Sequence, residues 1–327
     1  MDGIFVIDKA AGMTSHDVVA RVRRLLHQKR VGHAGTLDPL ATGVLPVLVG
    51  QATRVAEYLS ASGKAYRATI RFGVETDTYD VEGTVVAERP VALTLSAIEA
   101  VLPAFLGAQM QVPPRYSAIK RAGQPLYKLA RAGAEVTPEP RPVVISALRP
   151  VAWEPPELVL DVECGKGTYI RSLAHDLGAR LDTGAHLAAL RRTRSGPFTL
   201  DQAVTLEQLE AALADGSWPA LLVPPDAALL DRRAATLDAA QAAALRNGQP
   251  LRLGAESLTP AGRPPDAPTP AEGELLRAYA ADGRFLGLAR WDAAAGVWRP
   301  HKVLDVTPVP QGGAGSAGQR PNGSAGD

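Results

Sequence analysis

The stretch KAYRATIRFG, residues 64–73, alternates without a break. Tyr66, Ala68, Ile70 and Phe72 fall on one face; Arg67, Thr69 and Arg71 fall on the other. Successive side chains of a strand point to opposite faces, so the stretch predicts a strand with one face in a core. Other strand candidates lie around it: IFVID from residue 4, then 44–49, 83–88, 116–120, 143–152 and 157–163. Pro46 weakens the second of these, because proline brings no N–H to a ladder. Helices are predicted at about 15–27, 52–60, 94–106, 125–132, 168–180 and 205–214. In the first, Val18, Val22, Leu25 and Leu26 recur at helical spacing behind a cap at Thr14 or Ser15. Strands and helices mix without a regular βαβ alternation. The predicted class is α+β, with a mixed, mainly antiparallel sheet.

Near residue 224 the chain turns Pro/Ala-rich. A helix is expected at 237–246, ending at Asn247-Gly248, then short strands at 250–253, 274–280, 284–291 and 297–306. Short strands with turns predict a small β-rich second domain. The expected division is 1–235, 236–308 and a tail, 309–327. The tail, GGAGSAGQRPNGSAGD from 312, is too polar and Gly-rich to pack and is expected to be disordered. TPAGRPPDAPTPAEG, 259–273, is expected to be a mobile loop inside the second domain.

The chain has 327 residues, enough for more than one core, and a net charge of +1. Near-neutrality argues mildly against a nucleic-acid partner, which needs a basic field. The basic residues are clustered, however: Lys9, Arg21, Arg23, Arg24, Lys29 and Arg30; then five between Arg115 and Arg131 with no acid among them; then Arg191, Arg192 and Arg194. Ordinary solvated surface explains each cluster alone; together they permit a basic groove. With one cysteine, Cys164, no internal disulfide is possible, and no Cys/His grouping resembles a zinc site. No signal peptide or membrane-length apolar run is read, so a cytoplasmic protein is expected.

Four stretches can carry chemistry. In GHAGTLDPLATG, 32–43, Asp38 follows Gly35-Thr36-Leu37 and precedes Pro39. Asp-Pro opens many turns with no further role. Here three glycines permit close backbone approach, His33 is near, and the apolar run that follows gives the loop a rigid base. Such a loop can aim one carboxylate as a nucleophile. On strand pattern alone Tyr66 reads as a core aromatic; the alternative is a platform on which a base stacks. In CGKGTYIRSLAHDLG, 164–178, Thr168 can cap a helix bearing Tyr169 and Arg171 in its first turn, and Gly165-Lys166-Gly167 can form an anion nest. A guanidinium such as Arg171 can hold a carboxylate in its ionised form, or lie on the surface. HLAALRRTRSGPF, 186–198, reads as a strand with a basic edge toward phosphates. The acidic run Glu75, Asp77, Asp80, Glu82 matches no calcium loop and reads as a solvated turn, so no metal is expected.

Six stretches in order, DKAAGMTSHD (8–17), GHAGTLDPLATG (32–43), KAYRATIRFGVETDTYD (64–80), YSAIK (116–120), CGKGTYIRSLAHDLG (164–178) and HLAALRRTRSG (186–196), resemble the TruB family of bacterial tRNA pseudouridine-55 synthases. The resemblance implies a pseudouridine synthase catalytic domain followed by a PUA-like RNA-binding domain. It implies isomerisation of one T-loop uridine of tRNA after base flipping, with no metal or organic cofactor and no obligatory protein partner, by a monomer. Residue by residue it implies that the catalytic residues are Asp38 as nucleophile, Arg171 as its charge partner, and Tyr66 as the tyrosine that stacks on the target base and assists proton transfer. Tyr169 is implied as a second base contact, Leu190 as pocket lining, and His33 as a residue entering the T loop. Lys9 and Lys64 match basic positions for RNA or the pocket edge. Ala10 stands where the family usually has proline, and the 259–273 insertion and the tail have no family counterpart. Two other readings are a relative that uses a separate guide RNA and a tRNA-binding chaperone without essential chemistry.

Overall fold

In a computed structural model of the chain, residues 1–116, 120–121, 124–125, 138–254, 257–259, 269–304 and 306 are described. The first part contains strands β1 (Gly3–Lys9), β2 (Val31–His33), β3 (Thr42–Val49), β4 (Lys64–Phe72), β5 (Val74–Thr76), β6 (Val85–Glu88), β7 (Gly107–Gln111), β8 (Lys120–Arg121) and β9 (Gln124–Pro125). It continues through β10 (Arg141–Glu154), β11 (Glu157–Cys164), β12 (Ala185–Ser195), β13 (Phe198–Thr199) and β14 (Leu222–Val223). The α-helices in order are α1 (Ser15–Leu25), α2 (Ala56–Ala61), α3 (Leu95–Val101), α4 (Ile170–Arg180), α5 (Leu206–Asp215) and α6 (Ala239–Arg246).

Ten strands form one sheet along the path β14-β1-β3-β12-β4-β11-β10-β7, with β13 on β12 and β2 on β3. Among the described residues only the β12–β3 strand pair of this sheet is parallel; the other strand pairs are antiparallel. The class is therefore the expected α+β, with a mixed and mainly antiparallel sheet. β4 is central, and its burial alternates along its whole length as KAYRATIRFG predicts. The same parity places Lys64 on the buried face.

The two faces of the sheet fill two cores. From β1, Phe5 and Ile7 join one cluster while Ile4 and Val6 join the other. From β3, Leu45, Val47 and Val49 join the first, and Val44 and Leu48 the second. Helix α1 covers the first face with Val18, Val19 and Val22, and α4 with Ile170, Leu173, Ala174 and Leu177. Pro46 is accommodated within β3, opposite Val6, and its carbonyl still accepts from Ala34 N at 3.0 Å.

A second sheet has the order β16-β15-β17-β18-β19, from β15 (Arg233–Leu237), β16 (Leu258–Thr259), β17 (Leu275–Ala280), β18 (Phe285–Asp292) and β19 (Val297–Val303). The small β-rich second unit is present. Its first strand, β15, starts at Arg233 and was not among the predicted strands. The expected strand at 250–253 is instead a single bridge, Leu251 to Trp298. The expected helix at 52–60 splits into a 3-10 turn over Gly50–Val55 and the short α2. The helix expected at 125–132 lies almost wholly outside the described residues, as do most of the 259–273 insertion, the tail and part of the 116–120 strand. Among the described residues no helix is long and apolar enough to cross a membrane.

Candidate active site

The Asp38 loop leaves β2, turns over the N-terminus of α1 and enters β3. Five consecutive carbonyls of this loop are engaged. Arg192 donates to Gly35 O at 2.9 Å and to Thr36 O at 3.5 Å. Ser15 Oγ donates to Leu37 O at 3.1 Å and accepts from Leu37 N at 2.8 Å. Asp38 O accepts from Ala41 N at 3.1 Å, and Pro39 O from Gly12 N at 2.9 Å and Lys9 Nζ at 3.2 Å. Gly43, at φ +98°, closes the loop against β12, where a Cβ would overlap the Arg192 carbonyl. A loop with no free carbonyl over this span has little freedom to move its one carboxylate.

That carboxylate faces a cleft of about 270 Å³. Leu37, Asp38, Lys64, Tyr66, Tyr169, Arg171, Leu190 and Arg192 all line it. Asp38 is 40% exposed and Arg171 only 7%; Arg171 Nη2 meets Asp38 Oδ2 at 2.9 Å. The same guanidinium meets Asp80 Oδ2 at 3.4 Å through Nη1. It also donates to Tyr116 O at 3.0 Å and Thr78 O at 3.4 Å. One buried cation therefore orients an exposed carboxylate from one side and is oriented by a buried one from the other.

Tyr66 comes up from β4 with its ring buried, and burial raises its hydroxyl pKa while the Arg192 guanidinium opposes. Tyr169 precedes α4, its backbone clamped by Gln111: N donates to Oε1 at 2.8 Å and Nε2 donates to O at 3.1 Å. Thr168 does not cap that helix. The N-cap position is Tyr169 without a side-chain cap, and Thr168 Oγ1 donates to Gly165 O at 3.2 Å. Gly165 and Gly167 border the cleft.

Lys64 is buried and donates to Ser62 O at 2.8 Å and Ser60 O at 3.1 Å; burial lowers its pKa to about 8. Lys9 lies under the loop. Its ammonium donates to Met13 O at 2.6 Å, Ala10 O at 2.9 Å and Pro39 O at 3.2 Å. Burial lowers its pKa to about 8, against the pull of Asp38. A lysine has three donors, so RNA contact by Lys9 would mean giving up these carbonyls. His33 stands apart from the cleft lining, its ring edge-on to His16 at 5.4 Å and its buried Nδ1 without a partner among the described residues. Burial, then His16 and Arg192, lowers its pKa to about 4.

Two further expectations need correction. The run from Glu75 to Glu82 is not simply a solvated turn, because Asp80 is buried beside Arg171. The Arg191–Arg194 cluster is not a free basic edge. Arg191 pairs with Asp8 at 2.7 Å and Arg194 with Glu163 at 3.0 Å. Arg192 is wholly buried and donates to Val44 O at 2.7 Å besides the loop carbonyls. Burial lowers its pKa. Asp80, Arg192 and Gln111 are thus site residues that the sequence reading missed. Strand parity carried a signal for Arg192, which lies on the same alternation as Leu190. Asp80 and Gln111 reach the site through loop and edge geometry and left none. Among the described residues no three His, Cys, Asp or Glu side chains converge as metal ligands would.

Three family models match successive parts of the chain between residues 23 and 304. Residues 23–170 match the N-terminal domain of TruB family pseudouridylate synthases, 171–230 a tRNA pseudouridylate synthase B C-terminal domain, and 234–304 a TruB pseudouridine synthase II C-terminal domain. The chain belongs to the TruB family.

It is accordingly an RNA pseudouridine synthase, an isomerase. Relatives named tRNA pseudouridine synthase B include one from Burkholderia mallei (strain NCTC 10247), 46% identical over 93% of this chain and 97% of its own. Another, from Pseudomonas fluorescens (strain Pf0-1), is 47% identical over 88% and 91%. Among solved structures, a Cbf5-Nop10-Gar1 complex matches with TM-score 0.66 and 27% identity over 88% of this chain and 78% of the other. An H/ACA RNP bound to a substrate RNA containing 2'-deoxyuridine has the same fold, with TM-score 0.69 and 23% identity over 94% and 86%. In this TruB chain the Asp38 loop lies within the N-terminal match, while Arg171 opens the next one.

Proposed function

We propose that the chain converts the T-loop uridine of tRNA, position 55, to pseudouridine, with Asp38 as nucleophile. The observation that carries this is the Asp38 carboxylate: held on a loop with every carbonyl from Gly35 to Pro39 engaged, paired with Arg171, and open to the cleft. The names of the tRNA-modifying relatives favour tRNA as the substrate.

The reaction breaks the N1–C1′ bond of uridine, forms a C5–C1′ bond and moves the C5 proton to solvent while N1 gains one. Substrate and product are isomers, so the balance needs no oxidant, reductant or cofactor. The target base must first leave the stack. Tyr66, Tyr169 and Leu190 then offer it an aromatic and apolar seat beside Asp38. A carboxylate placed there suits attack at the sugar carbon or at the base, and Arg171 engages one of its two oxygens, Oδ2.

The test uses the purified chain alone, with an unmodified tRNA transcript tritiated at uridine C5. Tritium release from the single T-loop uridine is expected, and Asp38→Asn should abolish it while tRNA affinity stays within about twofold, since the carboxylate serves the transition state more than binding. Tight binding without release would sink the reading in favour of a chaperone or of a guide-dependent enzyme.

A further inference from the structure

Tyr79 has a conformation that its residue type disfavours. Its φ is +64°, in the left-handed region that bulky side chains rarely enter and that Gly or Asn would occupy at lower cost. A tyrosine held there needs a reason in its side chain. That side chain lies flat on His175: the ring centroids are 4.0 Å apart and the planes 10° from parallel.

His175 is four residues after Arg171 on α4, so the two project from the same helix face. Tyr79 lies between the two residues of the acidic turn that meet Arg171, whose Nη1 reaches Thr78 O at 3.4 Å and Asp80 Oδ2 at 3.4 Å. The turn is thus docked on one helix face at two points a turn apart. One is ionic, at Arg171; the other is aromatic, at His175. Tyr79 O also accepts from Leu187 N at 2.9 Å, which ties the turn to β12.

We propose that Tyr79 and His175 are positioning residues for the Asp38–Arg171 pair: their stack fixes the turn that sets Asp80 and Thr78 O against the guanidinium. The proposal rests on the function given above. Neither ring lines the cleft, so their effect travels through Arg171. Without the stack the turn keeps its backbone tie to β12, but its docking on α4 rests on the contacts of Arg171, and at 3.4 Å the Asp80 contact is the longer of the two Arg171–carboxylate contacts.

Tritium release from the tRNA transcript tests this in the full chain. Tyr79→Gly keeps the left-handed backbone and removes the ring; His175→Ala removes the other ring from a helix that tolerates alanine. Each should lower kcat about tenfold or more with KM for the transcript within about twofold, the signature of a misplaced reacting group. Tyr79→Phe should restore the rate, because a phenyl ring stacks as well. The double variant should be no slower than the slower single, since both remove one contact. Unchanged kcat in either single variant beside an active wild type overturns the stack's role. A rise in KM alone overturns it in favour of direct RNA contact. Failure of Phe to rescue, or additive losses, shows that the ring pair is not the acting unit. An inactive wild type would overturn the proposed function itself and this inference with it.

Discussion

Several polar side chains around the Asp38 loop are buried, and burial of a titratable group makes stability depend on pH. Half-buried His33 is one whose pKa moves in an accessible range. Its ring is held at a pKa of about 4, against an ordinary value of 6.5, by burial and by the neighbouring His16 and Arg192. Between these two values the unfolded chain binds a proton at this site that the folded chain refuses. Stability therefore rises with pH across that window; the penalty is fully present below about pH 4 and gone above about 6.5. His33→Gln should flatten this part of the profile. Urea midpoints at pH 4.5 and pH 6.5, compared between wild type and variant, check it, and an equal slope in both would place the proton elsewhere. His33 ends β2, so its partial burial is as much a feature of the loop's base as of any RNA contact.

At the scale of elements, α1 presents its N-terminus to the Asp38 loop, and its start is fixed by a full capping box. Thr14 Oγ1 accepts from Asp17 N at 3.1 Å, and Asp17 Oδ2 accepts from Thr14 N at 2.9 Å. The next residue, Ser15, makes the two bonds to Leu37. Thr14→Ala should cost about 1 kcal/mol, the ordinary worth of such a cap. A urea titration would read it, and a midpoint equal to that of wild type would show that tertiary packing alone sets the start of α1. The cap, the helix and the strand β4 were legible in the sequence because each rests on local spacing. So was the Asp38 loop as a rigid turn. The partners of the loop were not, because they come from far along the chain: Arg192 meets Gly35 across 157 residues and Ser15 meets Leu37 across 22. Thr168 misled for a related reason. It has the right residue type one position too early, and Gly165 O takes its hydroxyl. Asp80 looked solvated because an acidic run is usually a surface. Only the folding of its turn onto α4 shows that one of the four acids faces inward.

For the whole molecule, the two sheets share a core. Phe285, Leu288, Leu304 and Val306 from the second unit are buried in the cluster that holds Ile4, Val6, Val44 and Leu48 of the large sheet. Polar contacts reinforce the junction. Lys302 pairs with Glu57 and donates to Arg54 O at 2.7 Å, and it lies over the Tyr58 ring at 5.3 Å from the centroid. The shared cluster also backs β1 and β3, and the Asp38 loop runs into β3. Loss of packing at the junction should therefore be felt beyond the second unit. Phe285 is the residue to remove: it is 4% exposed and its ring meets Tyr279 at 5.5 Å between centroids. Phe285→Ala should cost about 3–5 kcal/mol, as for other large buried aromatics. Because the cluster belongs to both units, scanning calorimetry should give one transition in wild type and one lower transition in the variant. Two separated transitions in wild type, with only one of them moved by Phe285→Ala, would show that the units unfold independently and that the junction does not support the site.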